Sequence, residues 1–187
     1  MIDFENLDKK IIYLGLQYGV KSFIAKQIRK YSKCYCPNSK EVPTHALAFS
    51  FENSDWWVYE SHAKGNKKLG IPAGVRRYKV KKWLELEKEN LKEFKAYPLD
   101  IDRNALEEYI GYPYGLGDIK SLMLACIKHS NGKQKDKDGY ICSEYIALAY
   151  PKICEFYELP AWCITPAHFK DYLDRYNIEE VGRYKDD

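Results

Sequence analysis

Residues 44–61 constrain this chain more tightly than any other stretch. Thr44 to Phe51 and Trp56 to Ser61 are two runs rich in apolar and aromatic residues, and Glu52-Asn53-Ser54-Asp55 between them has hairpin-turn chemistry. A hairpin turning at Asn53-Ser54 puts His45 opposite His62, give or take a register step, with Glu60 a diagonal neighbour one pleat away. Strand side chains alternate, so Glu60 and His62 share a face. Local structure alone therefore brings an imidazole and a carboxylate together, whatever the rest of the fold.

A second stretch supplies a nucleophile. In Gly139-Tyr140-Ile141-Cys142-Ser143-Glu144-Tyr145-Ile146-Ala147-Leu148-Ala149-Tyr150 a polar, glycine-bearing loop runs into an apolar helix with Cys142 in its first turn. Unpaired N–H groups and the positive dipole end at a helix N-terminus favour thiolate over thiol. An ordinary thiol, with a pKa near ~8.5, is mostly protonated at neutral pH. An imidazole within hydrogen-bond reach, oriented by a third polar group, supplies the remaining activation. Cys142, His45 and Glu60 are the candidate nucleophile, base and orienting group, and tertiary packing must deliver the cysteine. Singly, each has a bland role: core filling for Cys142, a strand-start hydrogen bond for His45, an exposed strand carboxylate for Glu60. Their combination points to chemistry. Cys126, Cys154 and Cys163 do not open a helix after a polar loop and are read as core or near-surface thiols. His62, His129 and His168 are the competing bases, with His129 in a polar loop and His168 in a terminal helix expected to face solvent.

Bulk properties exclude several classes. At 187 residues the chain suits one domain over 1–187, burying roughly two-thirds of its unfolded surface. Hydrophobic residues at 45% and aromatics at 15% argue against disorder. A net charge of +3, with Lys and Glu alternating from Lys81 to Glu89 as on a solvated surface, gives no one-signed basic stripe for nucleic acid. The acidic start, Met1 to Asp8, lacks the pattern of a secretory signal, and no apolar run approaches the ~20 residues of a membrane span. A cytoplasmic location with reduced thiols is the expectation. Cys34-Tyr35-Cys36 is followed by no second Cys or His pair at zinc-finger spacing, so no metal and no cofactor is expected. Oligomeric state is not readable.

The rest of the chain shows no repeat or interdomain linker. Ile11 to Gly15 reads as a first strand. Phe23 to Tyr31 reads as a helix behind Ser22, with apolar positions at 23, 24, 28 and 31 on one face. Further strands are predicted at Val75 to Val80 and Leu91 to Tyr97, with a break at Pro98-Leu99-Asp100. Asp102 is expected to cap a helix through Tyr109, and Gly111 to Gly117 forms a turn cluster. Asp118 is expected to cap a helix to about Ile127. Residues 128–139 are polar, a candidate lid or partner surface. Pro151 ends the Cys142 helix, and Thr165-Pro166 opens a last short one. The fold class is α+β, with helices packed against an antiparallel sheet.

Three segments carry a resemblance: Thr44-His45-Ala46-Leu47-Ala48-Phe49, Trp57-Val58-Tyr59-Glu60-Ser61 and Tyr140-Ile141-Cys142-Ser143-Glu144-Tyr145. Together they resemble the circularly permuted branch of the NlpC-like papain superfamily, the YiiX-like amidases and hydrolases. The order histidine, carboxylate, cysteine is the permuted one, the reverse of ordinary papain-like chains. The early strand and helix and Ile164-Thr165-Pro166-Ala167-His168-Phe169 also fit, so the likeness extends over most of the chain. Cys-Ser-Glu after an aromatic-aliphatic pair is its most specific piece. The resemblance implies a permuted papain-like fold and a cysteine hydrolase, with Cys142 as nucleophile, His45 as base and then acid, and Glu60 as orienting group. It also implies that Tyr114, in Gly111-Tyr112-Pro113-Tyr114-Gly115, lines the site. Tyr140 is a second candidate substrate-side residue. The backbone N–H of Cys142 is the natural first oxyanion donor, with Tyr114 or Tyr140 a candidate second. The chain departs from the family in the longer approach over Cys34 to Glu41 and in the basic loop before Tyr140. A peptide amide is the first substrate class implied. A lipid ester or thioester hydrolase or acyltransferase using the same site, or a non-catalytic binding module on the same fold, are the alternatives.

Overall fold

Strands β1 (Ile12–Tyr18), β2 (His45–Glu52), β3 (Asp55–His62), β4 (Gly74–Lys79), β5 (Glu93–Leu99) and β6 (Gly182–Lys185) form one antiparallel sheet, in the order β4-β3-β2-β1-β5-β6. The computed structural model describes residues 4–19, 23–35, 42–68, 70–87, 93–121 and 139–185. Helices are α1 (Phe23–Tyr35), α2 (Val80–Glu87), α3 (Arg103–Glu108), α4 (Cys142–Ala149), α5 (Lys152–Tyr157) and α6 (Pro166–Arg175). Residues 116–121 are also helical. Helices against an antiparallel sheet make the chain α+β. Among the described residues, no helix is long and apolar enough to cross a membrane.

Both faces of the sheet are covered, which is why β1 is buried along its whole length. On one face Leu14, Leu16, Ala46, Ala48 and Tyr59 pack against Tyr145, Ile146 and Ala147 of α4 and Phe169 of α6. On the other, Tyr13, Leu47, Phe49, Val58 and Phe94 pack against Val80 and Trp83 of α2. Odd and even residues of β2 thus serve different cores, as strand alternation requires.

The central hairpin adopts the predicted register. Pairing runs from Ala48↔Tyr59 to Glu52↔Asp55, and Asn53 (φ 49°) and Ser54 (φ 65°) make the positive-φ turn that suits strand twist. Continuing that register sets His45 against His62, and their rings meet edge to face at 5.5 Å.

Several boundaries differ from expectation. β1 runs on to Tyr18 because β2 pairs with it as far as Gln17 and β5 as far as Tyr18. β4 stops at Lys79, and Val80 instead opens α2. The charged run from Lys81 is an amphipathic helix in which Val80, Trp83 and Glu87 are buried. β5 continues through Pro98 to Leu99. Residues 116–121 are already helical before Asp118, so that buried aspartate sits inside the helix rather than capping it. The short strand β6 and helix α5 were not anticipated. Asp102 does cap α3, accepting the Asn104 N–H at 2.8 Å. Cys126, His129, Cys36 and residues 128–138 lie outside the described residues.

Candidate active site

Two elements reach the end of the sheet where β2 begins, one from each face. α4 packs over the face lined by Ala46, Ala48 and Tyr59, and its first residue is Cys142. The side chains of Leu47, Val58 and Tyr78 line the opposite face, and His45, Glu60 and Arg76, each two residues away on the same strand, share that face. The sulfur and the imidazole meet at this end.

Each residue of the Cys142 motif has a separate structural task. The Glu144 carboxylate accepts the Ile141 N–H at 3.3 Å and closes the front of α4. Ser143 Oγ donates to the Ile164 carbonyl at 2.6 Å, and Tyr145 Oη donates to the Leu106 carbonyl at 2.6 Å. These bonds fix the helix on α3 and on the segment before α6. Cys142 is 1% exposed, and the backbone at Ala46 and Ser143 stands close enough to favour its thiolate. Ala46 lies just before the β2–β3 pairing begins at Ala48.

The His45 side chain lies close enough to the Cys142 thiol that each group shifts the other's pKa. Its Nε2 lies 2.7 Å from Glu60 Oε2. With Nε2 engaged by the carboxylate, Nδ1 is the ring nitrogen left for the sulfur. Glu60, 0% exposed, is itself clamped. Its Oε1 accepts Arg76 Nε at 3.0 Å and Nη2 at 2.6 Å, together with the Tyr78 hydroxyl. Arg76 Nη1 donates onward to the carbonyls of Lys64 at 2.8 Å and Pro72 at 2.7 Å. Two guanidinium donors and a phenol on one oxygen, with the imidazole on the other, hold the carboxylate in one orientation.

Charge follows from these contacts. Burial alone pushes the Cys142 thiol up, but the His45 charge, its hydrogen bond and the two backbone N–H groups outweigh burial and bring it below the ordinary 9.0. Burial pulls His45 down, yet the Cys142 charge and hydrogen bond, then those of Glu60, raise it to about 10. Burial raises Glu60, but the His45 hydrogen bond and the Arg76 charge hold it well below 4.5. All three shifts run in the direction of thiolate, imidazolium and carboxylate in series. Cys163 shows the contrast: burial drives it up to about 12, and burial also raises Cys154.

Cys142, His45 and Glu60 therefore come together. Tyr114 stands close enough that the charges of Cys142 and Glu60, added to burial, raise its phenol well above 10. Tyr140 contributes differently. Its ring packs on Tyr109 (4.9 Å) and Tyr112 (5.5 Å), while its backbone bridges Tyr114 and its carbonyl accepts Ser61 Oγ at 2.5 Å. Gly74, at φ 100°, lets this turn approach β4; a Cβ there would collide with the Tyr112 carbonyl. Among the competing bases, His62 is partly buried and held below 6.5, by burial first and by repulsion from His45 and Arg76. His168 is not solvent-facing as expected. It is 2% exposed, its Nδ1 accepts the Thr165 N–H at 3.0 Å, and burial lowers it to about 4, because it caps α6 from inside the core.

Sequence reasoning missed Arg76, Tyr78 and Glu87. Arg76 and Tyr78 share one face of β4 and needed the β3–β4 register, Glu60↔Arg76, to be recognised. Glu87 is buried at the end of α2, and burial followed by the nearby Glu60 charge raises it to about 7. Among the described residues, no group of three or more His, Cys, Asp and Glu side chains is arranged to hold a metal ion. Compared with known proteins, the chain matches no protein-family model and no curated sequence.

Proposed function

We propose that the chain is a cysteine-nucleophile hydrolase that cleaves an amide bond through a thioester acyl-enzyme. The observation that carries this is the relay from Cys142 through His45 to Glu60, with the carboxylate 2.7 Å from the imidazole and the thiol pKa depressed despite full burial. The likeness of the His45, Glu60 and Cys142 segments to permuted papain-like enzymes supports the same conclusion.

The reaction has two halves. The Cys142 thiolate attacks the substrate carbonyl carbon, and the carbonyl oxygen takes the electron pair. The backbone N–H of Cys142, at the start of α4, is the donor assigned to that oxyanion. The tetrahedral adduct collapses, the C–N bond breaks, and the His45 imidazolium protonates the departing amine. His45, now neutral, takes a proton from water as the water oxygen attacks the thioester. Carboxylic acid leaves and the thiolate and imidazolium are restored. Glu60 holds the imidazole in one orientation and stabilises its cation throughout.

A panel of peptide p-nitroanilides and a fatty-acyl thioester, assayed with the wild-type chain and with Cys142→Ala, tests this. Turnover of an amide by the wild type, lost in the variant while circular dichroism and Tm are retained, is the expected result. Undiminished turnover by Cys142→Ala would overturn the assignment of the nucleophile. Thioester cleavage without amide cleavage would replace the amide by an acyl-lipid substrate.

A further inference from the structure

One buried carboxyl is left over once the relay is assembled. Val80, Trp83 and Glu87 form the stripe that α2 turns to the sheet, and all three are buried. β4 leaves the site end at Gly74, opposite His62, and reaches the far end at Lys79, opposite Trp57. α2 then turns back over the sheet, with the Trp83 ring 5.3 Å from those of Phe49 and Phe94. The next position of that apolar stripe holds Glu87, 7% exposed. Among the described residues its carboxyl has no hydrogen-bond partner and meets its neighbours through charge alone. Those neighbours come from three strands: His45 of β2, Glu60 of β3 and Arg76 of β4, with the Tyr78 phenol of β4 beside them. β1 adds no charge there, since the residue paired with His45 is Gln17. Lys81, Lys82 and Glu85 of α2 itself are exposed.

We propose that Glu87 is a positioning residue for the relay: once ionised, its charge adds to that of Glu60 in holding the His45 imidazolium and extends toward alkali the range over which that cation survives. The proposal rests on the hydrolase reading and adds a second carboxyl that acts through His45 without touching substrate. Burying a carboxylate with no hydrogen bond is costly, which favours the neutral acid at low pH. Burial first, and then the Glu60 charge, keep Glu87 protonated up to about pH 7. Its coupling to the imidazole is reciprocal. The cation that eases the ionisation of Glu87 is itself stabilised by the anion that results.

NMR of isotope-labelled histidine rings, followed from mildly acid to alkaline pH, tests this without turnover. The wild type, His45→Gln and Glu87→Gln are compared, and the signal missing from His45→Gln is that of His45. In the wild type this signal should show a minor step near pH 7, where Glu87 ionises, before its own transition near 10. Glu87→Gln keeps the shape of the neutral acid. In that variant the step should vanish, and the main transition should move down by roughly half a pH unit or more. Amide kcat on the alkaline limb should then fall by about threefold or more relative to the wild type, the same half unit expressed as a rate. A merely structural Glu87 would alter Tm and leave both transitions in place. A wild-type His45 signal with no step near 7 overturns the proposal, and so does a main transition that is the same in Glu87→Gln. If either occurs while Cys142→Ala abolishes amide turnover, only the assignment of Glu87 fails. If step and shift are both found but Cys142→Ala still turns over amides, only the hydrolase reading fails.

Discussion

At the scale of single residues, Glu60 bears the heaviest electrostatic burden. It is a fully buried carboxylate that answers to an imidazole on one oxygen and to a guanidinium and a phenol on the other. Glu60→Gln removes the charge that orients His45 and leaves Arg76 buried without its anion. Amide turnover should fall by roughly 10²–10⁴-fold. Stability should fall by about 3–5 kcal/mol, the usual consequence of breaking one side of a buried pair. Urea unfolding and steady-state kinetics check the two parts separately. The pH dependence of stability follows from the same contacts. The folded Glu60 pKa lies below 4.5, so its contribution is complete above 4.5 and is lost as pH falls through the depressed value. His45 is raised from 6.5 to about 10, so its contribution is complete below 6.5 and is lost as pH rises through about 10. Urea midpoints followed across this range should fall at both ends, and the alkaline fall should vanish in His45→Gln. A midpoint flat into alkali in the wild type would contradict the raised imidazole.

At the scale of elements, the site depends on how closely the Tyr112–Tyr114 turn and the start of α4 approach the sheet. Gly74→Ala forces a side chain against the Tyr112 carbonyl at a positive φ, so it should destabilise the fold by at least about 1 kcal/mol. It should also reduce turnover, because the displaced turn carries Tyr114. Thermal melting and kinetics on one preparation would expose the opposite outcome, a variant with unaltered Tm and rate. Elements were legible in the sequence where a local rule decides them. The hairpin was legible because Asn53 and Ser54 accept positive φ and flank alternating runs; α6 was legible because Thr165-Pro166 is a strong start signal. The α2 helix was read as mere solvated charge because Trp83 and Glu87 are buried only once β4 delivers them to the sheet. β6 is four residues on the sheet edge, paired only with β5, too short for a periodic signal.

At the scale of the whole molecule, the proposed site depends on joining the two faces of one sheet. His45 and Glu60 were within reach of sequence reasoning because a hairpin couples them. The approach of Cys142 was not, since it depends on α4 packing across Ala46, Ala48 and Tyr59, a contact between distant segments with no local signature. Arg76 stayed hidden for the same reason: nothing in Val75-Arg76-Arg77-Tyr78 says which arginine turns inward until β3 supplies Glu60 opposite it. The proposed function therefore stands on a tertiary contact, the approach of thiol to imidazole. The rate of Cys142 alkylation by iodoacetamide as a function of pH, in the wild type and in His45→Gln, tests that contact directly. The wild-type rate should hold its plateau well below pH 9, while the variant, left with burial that disfavours thiolate, should need pH above about 9 to react. Two superimposable profiles, each rising as an ordinary thiol does, would mean that His45 does nothing for Cys142.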